Sequence, residues 1–219
     1  MSDFPKISQK AQEFKQREEE ILRCALELFL ELGEEKVTVE MIADKVGIGK
    51  GTIYKHFETK NEIYLLLMIR YEEELADVFK RIDPNDHKDK LAREYFSFRM
   101  RDPKRYALFD RLENKLVRDN SVKDLLAKLH KIRHSNMDNL DRFVKARIAE
   151  GKLMDVPSYF HICAAWALVH GAVSLSGSDF YNEWIEDKDA FFDFLMDVGV
   201  RMGNRVRGKN SPDSGAAKA

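Results

Sequence analysis

Apolar residues recur along most of this chain at the three- and four-residue spacing of one helix face, and strict apolar/polar alternation is hard to find. The first stripe is Ile21, Leu22, Ala25, Leu28, Phe29 and Leu32, which predicts a helix over about 17–32 that stops at Gly33. Thr38 can cap a short helix carrying Met41, Ile42, Ala43 and Val46. Gly47 breaks it, and a second short helix follows over 50–57. Thr59 to Glu62 has the form of a capping box and opens a long helix through Ile82. Asp83-Pro84 ends that helix, and Asn85 or Asp86 can cap another that reaches Arg101. Asp102-Pro103 reads as a cap and a first-turn proline for a helix to about Arg118. Ser121 to Asp124 has the look of a second capping box, before a long helix ending at Gly151. Asp155 and Pro157 start a helix to about Ser176, and Asp187 or Asp189 starts the last, to about Val206. The polar, aperiodic residues 207–219 predict a disordered tail. The expectation is an all-α fold of about nine helices.

Composition narrows the class without naming a function. The 219 residues are 44% hydrophobic and 34% charged, enough for a folded core. A net charge of −1 excludes a polybasic nucleic-acid binder but not a small, local DNA-reading surface. The longest apolar run, Ile162 to Val169, is well short of a bilayer span. The opening MSDFPKISQK has no apolar core behind its charges and does not read as a secretory signal. Cys24 and Cys163 lie far apart and form no metal-type pair. A cytoplasmic protein with neither structural disulfides nor a membrane segment is expected.

The segment TVEMIADKVGIGKGTIYKHF, residues 38–57, carries the sharpest signal. A helix-turn-helix needs two short helices crossing steeply, with a small residue where they touch. Ala43 supplies the small contact, and Gly47 can take the left-handed conformation that a Cβ penalises. Ile48 plugs the core beneath the turn, and Ile53 and Phe57 anchor the second helix. Lys50, Gly51, Thr52, Tyr54, Lys55 and His56 are left at or near the outer surface. Lysines neutralise phosphates, a tyrosine hydroxyl bonds them, and small residues allow close approach to bases. Thr38 and Lys60 sit at helix amino termini, where backbone N–H groups favour phosphate. From Lys45 to Lys60 the single acid is Glu58, so the surface is locally positive.

These residues resemble the TetR/AcrR family of bacterial transcription regulators. The match runs from about Arg17 to Leu66 and is closest at Ile42-Ala43, Gly47, Gly51-Thr52-Ile53-Tyr54, His56-Phe57 and Lys60. The resemblance implies a homodimeric, ligand-responsive repressor, with an amino-terminal DNA-binding domain and a helical domain for effector and dimer contacts. On that basis the chain divides into an arm (1–16), a helix-turn-helix domain (17–62), a ligand-binding and dimerisation domain (63–206) and a tail (207–219). The expected DNA-binding residues are Thr38, Lys50, Gly51, Thr52, Tyr54, Lys55, His56 and Lys60.

Farther along, Asn136 interrupts the stripe Leu125, Leu129, Ile132, Leu140, Phe143, and His170 interrupts Tyr159, Ile162, Trp166, Val173. A buried amide or imidazole needs a partner, which ordinary packing does not supply. With Tyr95, Phe98, Phe109, Leu140 and Trp166, these two are the expected ligand-binding residues, although each aromatic alone reads as core. A face of small and large residues (Phe160, Ala164, Leu168, Gly171, Leu175) and a second stripe (Phe191, Leu195, Val198, Met202) suit a four-helix dimer interface or packing within one subunit. His130 and His134 are four apart, but charged neighbours make theirs a solvated face. Asp83, Asn85, His87 and Glu94 match calcium-loop positions only by chance, with Pro84 and Lys88 in the way.

No catalytic constellation, metal site or cofactor motif stands out. The expected partners are double-stranded operator DNA, a small apolar or amphipathic effector and a second copy of the chain. The alternative is a helical small-molecule-binding protein or enzyme whose helix-turn-helix no longer binds DNA.

Overall fold

The computed structural model describes residues 9–82, 89–116 and 120–205. The described residues form ten α-helices: α1 (Gln9–Leu32), α2 (Val39–Val46), α3 (Lys50–Ile53), α4 (Lys60–Lys80), α5 (Lys90–Met100), α6 (Pro103–Leu116), α7 (Lys123–Ala149), α8 (Ser158–Ser176), α9 (Asp179–Trp184) and α10 (Lys188–Arg201). The one not expected from the sequence is α9, too short to show a period. A single bridge between Leu153 and Asn204 is the only β pairing among these residues. The expected caps at Asn85 and Asp86 and the tail at 207–219 lie outside the described residues.

Local chemistry sets several of the helix starts. The Thr38 hydroxyl accepts from the Met41 N–H at 3.3 Å, and the Thr59 hydroxyl accepts from the Glu62 N–H at 3.1 Å. Glu62 closes the box from the other side by accepting from the Glu58 N–H at 2.6 Å. The Asp102 carboxylate accepts from the Arg105 N–H at 3.0 Å, in the first turn behind Pro103. Two starts depart from expectation. α1 already runs from Gln9, ahead of the start expected near Arg17, and its added turns bring Phe14 against His56. α7 begins at Lys123 behind a 3₁₀ turn, Asn120–Val122, with no side-chain cap at Val122.

One apolar cluster runs through the molecule, from Ile21, Phe29, Ile42 and Phe57 to Leu75, Leu112 and Leu129. The helix common to both ends is α4. Ile63, Tyr64 and Met68 are buried towards its start and Leu75 and Phe79 towards its end. The Tyr64 hydroxyl donates to the Glu34 carbonyl at 2.8 Å, tying α4 to the turn after α1. At the far end α10 packs on α5 at Gly199. A Cβ there would lie 2.3 Å from the Phe96 ring, so only glycine permits the approach.

Candidate nucleic-acid interface and effector cavities

The reading turn is built on backbone geometry. Gly47 adopts φ 76°, and the N–H of Ile48 returns to the Ala43 carbonyl at 3.0 Å, which turns the chain sharply from α2 into α3. Ala43 is buried at the contact, and Ile53 and Phe57 reach the core beneath. The second helix is shorter than the expected 50–57. The α-helix ends at Ile53 and continues as turns through Phe57, whose N–H still bonds the Ile53 carbonyl at 2.9 Å.

The outer surface carries the expected side chains but engages more of them than charge alone suggests. Thr38, Lys50, Gly51, Tyr54 and Lys55 are exposed, and Thr52, His56 and Lys60 are half-buried. The Tyr54 ring is 48% exposed and lies 5.8 Å from the Lys50 ammonium. Lys50 pairs with Glu40 of α2, which holds the Glu40 carboxyl below its ordinary pKa. Lys45 pairs with Glu27 of α1 at 3.2 Å. Lys60 turns inward, donating to the Val37 carbonyl at 2.9 Å and the Glu34 carbonyl at 3.1 Å. Its ammonium therefore braces the turn between α1 and α2. Of the four lysines, Lys55 alone has neither an ion pair nor a side-chain hydrogen bond among the described residues.

His56 has a neighbour that the sequence pattern does not reveal. Its ring stacks on Phe14 of α1, centroids 4.0 Å apart, and its Nδ1 is buried with no hydrogen-bond partner. Burial pushes the imidazole below its ordinary pKa. Phe14 lies seven residues before Ile21, in phase with the stripe of α1 but ahead of the helix start expected near Arg17, so extending that stripe would have signalled the contact.

Beyond Arg81 two cavities open among the remaining helices. The larger, about 520 Å³, lies between α5, α7, α8 and α10, with apolar walls that include Phe96, Leu140, Phe143, Ile162 and Met202 and with Arg147, Lys152 and Arg205 also in its lining. The smaller, about 340 Å³, lies against α4 and is lined by Tyr71, Glu72, Tyr95, Arg99, Tyr106, Phe109, Asp110, Arg133 and Trp166 among others. Tyr95 lines both, Leu140 the first, and Phe109 and Trp166 the second. Phe98, Asn136 and His170 line neither. Phe98 packs on Tyr71 with ring centroids 4.9 Å apart. Asn136, fully buried, donates to the Glu72 carbonyl at 3.0 Å and to its carboxylate at 3.2 Å, while its Oδ1 has no hydrogen-bond partner. His170 meets Asp110 through Nε2 at 2.9 Å and the Trp166 carbonyl through Nδ1 at 3.0 Å.

The sequence offers Arg99, with Arg101, Lys104 and Arg105, as a solvated basic face or a partner for an acidic head group. In the structure Arg99 is buried and forms an ion pair at 3.2 Å with Glu72, which the sequence did not single out. Burial alone disfavours the charge on Arg99. The Glu72 carboxylate, with Tyr95 and Tyr71, outweighs it and raises the guanidinium above its ordinary pKa. Helix α6 joins this region to the reading unit. Arg105 reaches Glu74 of α4 at 2.8 Å, and Arg111 reaches Glu34, in the turn after α1, at 3.2 Å.

The surface of α8 is unusually apolar. By length and composition it could cross a membrane, alone among the described helices, yet it is little buried in the subunit. Phe160 is 53% exposed, beside exposed Ala167 and Gly171, while Ala164, Leu168 and Leu175 are half-buried. On α10 the exposed apolar residues are Phe194, 62% exposed, and Val198. Leu195 packs on the core, Met202 lines the larger cavity and Phe191 is half-buried, so the expected stripe is rotated. Two faces of α10 are apolar, and spacing alone cannot phase it. The two histidines at 130 and 134 form no site, because Nδ1 of His134 donates to the His130 carbonyl at 2.7 Å. The calcium-loop positions at 83, 85 and 87 lie outside the described residues.

Comparison with known proteins places these features. Residues 21–67 match the family model for bacterial regulatory proteins of the tetR family, and residues 89–198 match that for a tetracyclin repressor-like C-terminal domain. An HTH-type transcriptional regulator of Staphylococcus aureus is 38% identical over 77 residues, covering 35% of this chain and 40% of that protein. The HTH-type transcriptional activator FasR of Mycolicibacterium smegmatis is 28% identical over 112 residues, 49% of this chain and 50% of that one. The matched stretches therefore span half or less of these curated relatives. Among solved structures, a tetR-family regulatory protein from Rhodococcus RHA1 superposes with a TM-score of 0.69 at 16% identity, covering 86% of this chain and 97% of that one. The fatty acid degradation regulator FadR of Bacillus halodurans gives 0.64 at 14% identity, covering 94% and 100%.

Proposed function

The chain belongs to the tetR family of bacterial regulatory proteins, a family of transcription regulators rather than enzymes, and on that premise we propose that it is a homodimeric, effector-released repressor of transcription. The observation that carries the reading is the α2–α3 unit. It is a short helix pair turned at Gly47, with Thr38, Tyr54 and Lys55 exposed on its outer side above a fully packed base. Thr38 uses its oxygen as a cap acceptor and keeps its O–H to donate to phosphate. Tyr54 and Lys55 add a hydroxyl and a charge, while Gly51 and Thr52 allow close approach to base edges. Lys50 joins them by exchanging Glu40 for a phosphate. His56 and Lys60 support the surface from behind, through Phe14 and the α1–α2 turn.

A single reading unit binds one half-site, so the function needs two copies set about 34–36 Å apart. The exposed apolar faces of α8 and α10 supply a dimer surface, which accounts for the composition of α8 without a membrane. A DNA partner places the protein in the cytoplasm. A small apolar or amphipathic effector acts through the smaller cavity, beside α4 and α6. Whatever moves α6 pulls on α4 through Arg105 and on the reading unit through Arg111. It shifts the equilibrium only by binding better to the spacing that does not fit DNA.

The test is direct. The purified protein should retard the DNA upstream of its own gene as a dimer, with affinity falling steeply as salt rises. Retardation that is equal for unrelated sequences, or absent, would favour the alternative in which the helix-turn-helix no longer reads DNA.

A further inference from the structure

Two residues that line the smaller cavity carry buried donors whose hydrogen bonding is incomplete. Arg99 lines it with a side chain 9% exposed, and its Nε–H has no hydrogen-bond partner although one Nη already serves Glu72. Tyr71 is also in the wall, and its buried hydroxyl lies near enough to that guanidinium for the two to act on each other's ionisation, though without full hydrogen-bonding geometry. A buried donor left unmet costs about 1–3 kcal/mol, so a small side-chain shift that brought either one to an acceptor in the cavity would be favoured. Around these donors stand the rings of Tyr95, Tyr106, Phe109 and Trp166. The volume, about 340 Å³, is at the lower end of the usual range for small-molecule sites.

We infer that this cavity binds a small aromatic carboxylate, with Arg99 as the residue that takes its charged end. The inference rests on the effector reading above and deepens it. A carboxylate is acceptor-only and offers two oxygens, which suits an Nε–H and a tyrosine O–H side by side. A flat ring packs against the aromatic walls, whereas an extended alkyl chain fits the larger cavity, where Leu140, Ile162 and Met202 stand beside Phe96 and Phe143. Arg133, 3.5 Å from the same Glu72 carboxylate, places a second guanidinium where two carboxylates would meet. Since Tyr71 and Glu72 belong to α4, a ligand bound here acts on the helix that enters the reading unit.

The experiment uses the full chain with Trp184→Phe, which leaves Trp166 as the single tryptophan reporting on the cavity. Benzoate, 4-hydroxybenzoate and cinnamate are titrated against benzamide and decanoate, by fluorescence and by calorimetry, with operator release measured in parallel. At least one aromatic carboxylate should bind saturably, about tenfold or more tighter than the neutral amide, as loss of a hydrogen bond to a charged group implies. The double variant Glu72→Gln with Arg99→Gln removes the ion pair without stranding a charge, and it should erase the preference for carboxylate over amide. Cys163→Phe, which narrows the cavity from its exposed rim, should weaken every aromatic ligand even if the double variant does not fold. Equal binding of benzoate and benzamide, or no aromatic binding at all, overturns the proposal. Release by decanoate alone would overturn it while leaving the effector reading intact. Saturable, Arg99-dependent binding without operator release would keep the site and sink the effector reading.

Discussion

The reading unit and the helices behind it solve the same packing problem to different degrees. In the reading unit the main apolar anchors Ile21, Leu22, Val37, Ile42, Ile53 and Phe57 are at most 2% exposed, and side-chain caps define the starts of α2 and α4. Behind it, Phe160, Phe194 and Trp184 (74% exposed) face outward, while Glu72, Arg99 and Asn136 are buried beside a cavity. The first region is finished within one chain. The second is left incomplete at its surface and in its interior, where a partner and a ligand can enter. A regulator needs both kinds of construction, since only an unfinished region can respond.

The contrast can be broken most severely from the finished side. Phe29→Ala removes a ring that is 1% exposed and should cost about 3–5 kcal/mol, lowering the melting temperature of the whole chain. Ala167→Glu, at an exposed site on α8, should leave the fold intact but abolish dimers in sedimentation and cost most of the operator affinity. If it melted the subunit instead, α8 would belong to the finished part. Tyr54→Ala should weaken operator binding by about 1–3 kcal/mol with an unchanged melting temperature. Lys55→Ala should affect all DNA sequences alike and reduce the salt slope by about one. Lys60→Ala separates phosphate contact from bracing. Its ammonium holds two carbonyls, so it should lower stability as well as affinity. The smallest effect concerns pH. Burial lowers the folded-state pKa of His56, so the unfolded chain takes up the proton first as pH falls. Stability should decline from about pH 6.5 downward and level off below the lowered value, and His56→Gln should flatten that part of the profile.

Legibility in the sequence followed the same division. Thr38, Gly47, Thr59 and Asp102 act through bonds within four residues of themselves, so their identity and spacing suffice to place a turn or a helix start. The inward faces of α8 and α10 were not readable that way. α8 is apolar all round, and α10 offers apolar residues in two phases, so the Phe96 contact at Gly199 decides which of them points in. Lys60 shows a related limit, since a sequence reports its charge but not the carbonyls of Glu34 and Val37 that turn it inward. Asn136 was legible as a residue in need of a partner. That the partner is Glu72, 64 positions away, depends on how α4 lies along α7.

The shared core along α4 bears on how such regulators can be recombined. The amino-terminal family match stops at residue 67, midway along a helix that runs to Lys80. A chimera joined there would keep Glu72 and Glu74 with Arg99 and Arg105 but splice one helix from two parents between Leu67 and Met68, both buried in the shared core. The exchangeable module is therefore longer than the matched carboxy-terminal stretch, residues 89–198. A working hybrid would carry all of α4 with the cavity-lining helices and place its junction in the turn around Phe57 to Thr59, where Lys60 and Tyr64 could still find the carbonyls of a new host.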